Sequence, residues 1–211
     1  MQIPRLYPII DLEVSRHPLE GLLEAFAATG LPWIQLRDKK SNSRQLFANA
    51  QRVVDLGQRL GLTVIVNDRA DIASMSGADG VHIGQEDLPV EHARRIVGPE
   101  KIVGYSTHNL AQALEAEQSS ADYLAIGPVF ATTSKANPDP VVSWQELREI
   151  RSRVRKPMVA IGGITSENAA RLFEIGLDSV AVIRDLVSAP DIREKINKFL
   201  KVAGTGLSET R

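Results

Sequence analysis

The chain has 211 residues, 43% apolar and 24% charged, the balance of an ordinary folded domain and not of a fibre, a disordered tract or a disulfide-stapled miniprotein. Lys and Arg total 25 against 26 for Asp and Glu, so the net charge of -1 supplies no field to draw the chain onto nucleic acid or a membrane, and a charged ligand has to be held by a local cluster. With no Cys present, disulfides, thiolate metal sites and Cys nucleophiles drop out, and the composition is compatible with a reducing compartment.

The first eleven residues hold one basic side chain and a short apolar run that reads as the start of a strand and not as a signal peptide or a span, so a cytoplasmic protein is expected. Eight such runs, rich in Val, Ile, Leu and Tyr, follow one another at 6–11, 33–38, 63–68, 80–84, 101–107, 123–129, 158–163 and 179–185. Most are continuously apolar and not alternating, as strands are when helices cover both faces of a parallel sheet. Between them the period becomes helical. In 44–60, Leu46, Phe47, Ala50, Val53, Val54, Gly57 and Leu60 form one stripe, with Asn42 or Ser43 placed to cap its start. Near 165–176, Thr165 or Ser166 can cap a helix bearing Ala169, Ala170, Leu172 and Phe173 that Gly176 stops. Eight alternating units in about 200 residues predict a single-domain α/β protein, a (β/α)8 TIM barrel over 1–201, with no internal linker. Residues 202–211 turn to Gly, Thr, Ser and charge and read as a flexible tail.

In a barrel of this kind the chemistry sits at the C-terminal ends of the strands. The second run ends in Gln35, Arg37 and Lys39, which alternation points one way, with Leu36 and Asp38 pointing the other. Arg37 and Lys39 are either solvated charges or the grip on a phosphate, which the planar guanidinium fork suits. The third run ends in Asn67 and Asp68, and Gln85, Glu86 and Asp87 follow the fourth. Asp68 and Asp87 are candidate Mg2+ ligands bridging to a diphosphate, since Mg2+ takes one or two carboxylates, water and phosphate oxygens; each alternatively caps a helix.

The fifth run closes with Ser106, Thr107 and His108. A hydroxyl there donates to phosphate, whereas His108 reads as a residue capping the helix that begins at Asn109, with no carboxylate neighbour legible, and His82 reads as packed or turned toward the acids. After the sixth run, 127–135 offers Thr132, Thr133, Ser134 and Lys135 ahead of a Pro-rich stretch to Pro140, the pattern of a lid over phosphates. Gly162 and Gly163 after the seventh run and 182–185 after the eighth form the expected backbone phosphate pocket.

Six motifs occur in order: Gln35-Leu36-Arg37-Asp38-Lys39, Asn67-Asp68-Arg69-Ala70-Asp71, Ala78-Asp79-Gly80-Val81-His82 through Asp87-Leu88, Gly104-Tyr105-Ser106-Thr107-His108, Ala121-Asp122-Tyr123 through Phe130, and Ile161-Gly162-Gly163-Ile164. In these the chain resembles the thiamin phosphate synthases from about residue 6 to 186. The resemblance implies a Mg2+-dependent transferase. It joins 4-amino-5-hydroxymethyl-2-methylpyrimidine diphosphate to 4-methyl-5-(2-hydroxyethyl)thiazole phosphate, and the diphosphate departs before the thiazole nitrogen captures the pyrimidinylmethyl cation. It further implies that Gln35 contacts the pyrimidine, that Arg37, Lys39, Asn67, Ser106 and Lys135 hold the diphosphate, and that Asp68 and Asp87 bind Mg2+. Thr132, Ser134, Gly163, Ile183 and Arg184 receive the thiazole phosphate on the same basis. The implied partners are the two small-molecule substrates, with no nucleic acid and no membrane expected, and the oligomeric state is not legible.

Two departures stand out. Arg184 occupies a position where the family usually has a small hydroxyl residue, and the loop beyond Lys135 lacks the family's closing Gly. The sister thiazole tautomerases share the barrel but have no leaving diphosphate to hold, and some carry a catalytic His where this chain has Pro128; Arg184 is the residue that favours them. A catalytically silent phosphate-binding homologue is a third reading, with binding and no turnover. An aldolase or isomerase on the same fold is disfavoured because no Lys occupies a buried strand interior, where a Schiff base would form.

Overall fold

Eight parallel strands close into a barrel in simple sequence order. The computed structural model describes residues 2–132 and 139–205. The strands are β1 (Leu6–Asp11), β2 (Trp33–Arg37), β3 (Thr63–Asn67), β4 (Gly80–Ile83), β5 (Ile102–Thr107), β6 (Tyr123–Ile126), β7 (Met158–Ile161) and β8 (Ser179–Val182). The helices are α1 (Leu19–Ala28), α2 (Ser43–Leu60), α3 (Ala70–Ser76), α4 (Val90–Val97), α5 (Leu110–Glu117), α6 (Trp144–Arg153), α7 (Ala170–Glu174), α8 (Arg184–Val187) and α9 (Ile192–Thr205).

The pleat divides each strand between two cores. Tyr7, Ile9, Trp33, Ile65, Tyr123, Val159 and Ala181 fill the barrel interior, while Leu6, Ile10, Ile34, Leu36, Val64 and Val66 face the surrounding helices. This explains the continuous apolar runs, because neither face of these strands meets water. It also settles where the polar residues of β2 point. Ile34 and Leu36 go outward under the helices, so Gln35 and Arg37 go inward with Trp33 and rise toward the mouth.

Local signals set the helices. The Asn42 side chain accepts from Gln45 N–H at 3.0 Å, and left-handed Gly61 (φ 71°) ends α2. The helix after β5 is capped by Asn109, whose Oδ1 accepts from Gln112 N–H at 2.9 Å; His108 is not the cap. Near β7 the chain forms turns before only five helical residues, so α7 is shorter than the apolar spacing predicts, although the Thr165 hydroxyl still accepts from Glu167 N–H at 3.3 Å.

Other boundaries also differ. β2 ends one residue early at Arg37, and β6 ends at Ile126 with Gly127 and Pro128 leaving the sheet. β8 stops at Val182 because the backbone at Ile183 (ψ -91°) turns directly into α8. At the C-terminus, residues 202–205, expected to belong to a flexible tail, are helical: α9 continues through Thr205, and Ala203 is buried in the same apolar cluster as Phe199. Residues 206–211 lie outside the described residues. No helix among the described residues is long and apolar enough to cross a membrane.

Candidate active site

The C-terminal ends of the strands surround a cleft of about 930 Å³. Gln35, Arg37, Lys39, Asn67, Asp68, Asp87, Ser106, Thr132, Gly163, Ile183 and Arg184 all line it. Ser134 and Lys135, also expected here, lie outside the described residues. A smaller cavity of about 110 Å³ adjoins, sharing Arg37, Lys39, Ile183 and Arg184 and adding Asp11, Glu13 and Val14.

Sheet register brings the first pair of charges together. Asp11 is the Cα partner of Arg37 across β1 and β2, and the two side chains form an ion pair in which Asp11 is buried. The Asp11 carboxylate also accepts from Glu13 N–H at 3.0 Å. It thereby holds the Arg37 guanidinium by one nitrogen and leaves its remaining N–H groups for a ligand. Lys39 pairs with Asp68 from the loop after β2 and is about half exposed.

Asp68 is the one described residue other than glycine with a left-handed backbone (φ 65°), a conformation that Asp and Asn tolerate best among L residues. Asp68 N–H donates to the His82 carbonyl at 2.7 Å and Arg69 N–H to the Asn67 carbonyl at 2.8 Å. This tight turn aims the Asp68 carboxylate across to Asp87. The Asp87 carboxylate accepts from Gly84 N–H at 2.7 Å and does not cap α4, whose start at Pro89 has no side-chain cap. Burial pushes the Asp87 carboxyl above its ordinary range; the Gly84 N–H opposes this, and the neighbouring Asp68 charge adds to it.

On the far side, Gly162 (φ 101°) and Gly163 (φ 63°) carry the β7 loop. A Cβ on Gly163 would lie 2.4 Å from the Ala131 carbonyl oxygen, and one on Gly162 would lie 2.6 Å from Pro128 Cα. These glycines therefore let the β6 and β7 loops stack on one another, a use the Gly-Gly spacing did not reveal. The stack is closed by Val129 N–H donating to the Ile161 carbonyl at 2.9 Å and Phe130 N–H to Gly162 at 3.1 Å. Asp185 ties the β7 and β8 loops together, accepting from Ser166 N–H at 3.1 Å and pairing with Lys195 of α9 at 3.1 Å. The exposed Arg184 guanidinium makes no hydrogen bond or ion pair among the described residues.

The comparisons bear on the whole of this barrel. The family model described as thiamine monophosphate synthase matches residues 6–186. The chain belongs to that family. The thiamine-phosphate synthase of Koribacter versatilis is 44% identical over 209 residues, covering 96% of this chain and 97% of the relative. That of Chloroflexus aurantiacus is 43% identical over 189 residues, covering 89% and 87%. Among solved structures, the thiamine phosphate pyrophosphorylase of Pyrococcus furiosus superposes with a TM-score of 0.85 at 34% identity, covering 97% of each chain.

Within this thiamine monophosphate synthase barrel, sequence reasoning missed several residues that shape the cleft. Asp11 went unnoticed although it ends the first run as Asp68 ends the third; strand-end position was the available signal. His108 does have a carboxylate neighbour: its Nδ1 donates to the Gly127 carbonyl at 2.6 Å and lies 3.6 Å from Asp139. His82 is buried and packed, as read, but it bonds to Tyr123 and Ser106 and not to the acids. Burial pushes its pKa down to about 4, against a small upward pull from Asp87, so the imidazole is neutral near pH 7. Arg37 and Lys39, the carboxylates of Asp68 and Asp87, the amides of Gln35 and Asn67 and the Ser106 hydroxyl thus face one water-accessible space, a set suited to holding a polyphosphate without a protein nucleophile.

Proposed function

We propose that the protein is a Mg2+-dependent thiamin phosphate synthase that couples the pyrimidine diphosphate to thiazole phosphate and releases pyrophosphate. The convergence of Gln35, Arg37, Lys39, Asn67, Asp68, Asp87 and Ser106 on one cleft, opposite Gly163 and Arg184, carries this reading. A transferase of this kind must hold a departing diphosphate and a second, anionic substrate at once.

Asp68 and Asp87 suit the metal. They are two carboxylates from neighbouring strand ends, mutually unfavourable when both are ionised, which is the situation that a small hard cation relieves. No third His, Asp or Glu joins them among the described residues, so Asp68 and Asp87 would hold the ion together with water and substrate oxygens, as is usual for Mg2+. When bound, the ion neutralises charge that develops on the leaving diphosphate.

The side chains do the rest. Arg37, oriented by Asp11, gives N–H donors to diphosphate oxygens, and Lys39 can exchange Asp68 for phosphate. Asn67 and Ser106 add neutral donors on the same side. As the C–O bond to the diphosphate lengthens, these donors stabilise the charge gained by the leaving group. Gln35, 2% exposed, orients the pyrimidine over the apolar floor of Ile9, Ala125 and Val159, where few waters compete with the thiazole nitrogen for the carbon left behind. The loop glycines and Arg184, with Thr132 and Ile183 beside them, receive the thiazole phosphate. Lys135 and Ser134 are assigned to the diphosphate and the thiazole phosphate by the family resemblance alone.

Apart from Arg184 nothing in the cleft favours a tautomerase, and the relatives compared carry the synthase name. The test is to supply both substrates with Mg2+ and separate the products. Thiamin phosphate and pyrophosphate in equal amounts are expected; thiazole phosphate binding without either product would overturn the proposal.

A further inference from the structure

A continuous hydrogen-bonded chain crosses the floor of the cleft beneath the residues discussed so far. Gln35 Nε2 donates to the Tyr7 hydroxyl at 3.1 Å, and the Tyr7 and Tyr123 hydroxyls lie 3.1 Å apart. The Tyr123 hydroxyl is 3.0 Å from His82 Nδ1, and His82 Nε2 is 2.9 Å from Ser106 Oγ. Its two ends are the only members with an assigned contact to substrate. The three in the middle, two buried phenols and a buried imidazole, have no part in the chemistry above.

We propose that Tyr7, Tyr123 and His82 are positioning residues that set the direction of every proton in this chain, so that the Ser106 hydroxyl faces the cleft as a donor and the Gln35 carbonyl faces it as an acceptor. This deepens the synthase reading and rests on it for the identity of the ligands.

The direction follows from counting protons. An amide nitrogen can only donate, so the Tyr7 oxygen accepts from Gln35, and the acceptor within reach of its single proton is the Tyr123 oxygen. Tyr123 then gives its own proton to His82 Nδ1. A neutral imidazole that accepts at Nδ1 carries its proton on Nε2, and it donates that to Ser106 Oγ. The Ser106 proton has no acceptor among the described residues and is left for the cleft. The opposite direction needs the Gln35 amide turned over so that its oxygen accepts from Tyr7, and it is chemically wrong for an anion: the Ser106 proton would be used on His82, and a diphosphate would meet only the lone pairs of the Ser106 oxygen. Burial raises the pKa of both phenols, which keeps each as a hydroxyl able to accept and donate.

The backbone is arranged to permit the central link. Gly104 of β5 is the Cα partner of His82 on β4 and of Tyr123 on β6, so it stands between them in the sheet. A Cβ there would lie 2.1 Å from Tyr123 Cζ and 2.5 Å from His82 Nδ1. A glycine within a strand weakens the strand, and here its absence of a side chain lets residues two strands apart meet, with their rings stacked at 5.5 Å and 25°.

The experiment uses the full chain labelled with 15N at histidine, whose ring nitrogen shifts report which nitrogen carries the proton; His82→Gln identifies the His82 signals among the 4 histidines. The wild type should show the proton on Nε2. Tyr123→Phe removes the donor to Nδ1, so the Nε2–H population should fall and kcat should drop by about tenfold, the loss of one hydrogen bond, with KM for thiazole phosphate unchanged. Tyr7→Phe leaves the Tyr123–His82 link intact, so the tautomer should hold and KM for the pyrimidine diphosphate should rise by about tenfold with kcat retained. A proton on Nδ1 in the wild type overturns the proposal. So does a Tyr123→Phe protein with unchanged tautomer and kinetics, or a pair of variants that lose stability alike without this split between kcat and KM. If the wild type makes no thiamin phosphate, the function falls, while the spectra still decide the direction of the chain.

Discussion

Arg37 and Arg184 illustrate how one side-chain type is put to two uses. Arg37 is held by the buried Asp11 carboxylate, so its fork is oriented before any ligand arrives, which reduces the rotamer entropy lost on binding. Arg37→Lys keeps the charge but loses the planar fork; kcat/KM for the pyrimidine diphosphate is expected to fall by about 100-fold, with the melting temperature little changed. A rate near wild type would show that charge alone suffices. Arg184 has no partner among the described residues and borders both cavities. In Arg184→Ser, which restores the family's usual kind of side chain, KM for thiazole phosphate should rise by about tenfold, the contribution of one charged hydrogen bond. An unchanged KM would place the guanidinium outside the phosphate site. The Arg184 position was legible beforehand, but the Arg37–Asp11 pair was not. Arg37 and Asp11 are 26 positions apart and meet only through β1–β2 register, and register is not visible in a run of apolar residues.

At the scale of elements, the loops after β6 and β7 form one unit. Gly163 has a positive φ and its Cβ position is occupied by the Ala131 carbonyl, so Gly163→Ala incurs both backbone strain and overpacking, together about 2–4 kcal/mol. Thermal unfolding should shift down by roughly 5–15 °C, and thiazole phosphate binding should weaken, because the loop can no longer stack on Ala131. Retention of both would remove the stacking role. The strands themselves were legible because both faces are covered, so 63–67 or 158–161 could hardly be anything else. Their ends were less so: Val182-Ile183-Arg184-Asp185 reads as more strand, yet Asp185 is drawn to Ser166 and Lys195 and α8 begins. The C-terminal helix escaped notice past Lys201 for a similar reason. Gly, Thr and Ser promise little burial, but Ala203 is buried in the same apolar cluster as Phe199.

Across the whole molecule, the barrel interior is apolar at the bottom and hydrogen-bonded beneath the cleft, and that layer couples stability to pH. The buried His82 has a folded pKa of about 4 against about 6.5 for an unfolded histidine. The unfolded chain therefore binds the extra proton first, and stability is lost as pH falls from about 6.5 to about 4, by on the order of 3 kcal/mol, with no further loss from this group below that. Urea midpoints measured across this range should decline in the wild type and decline less in His82→Gln; parallel curves would assign the sensitivity to other groups. This layer was the least legible part of the site. Tyr7 and Tyr123 are 116 positions apart and each reads as one more apolar strand residue, whereas the charges at the strand ends follow directly from the fold.

The most direct measurement is thiamin phosphate formation from both substrates while Mg2+ is chelated and then restored, in the wild type and in Asp68→Asn. Asn tolerates the left-handed backbone at this position (φ 65°) and removes only the carboxylate charge. The account predicts that chelation stops the wild type and Mg2+ restores it, whereas Asp68→Asn stays folded and runs at least about 100-fold slower with or without added metal. Undiminished turnover in Asp68→Asn, or in the chelated wild type, would contradict it.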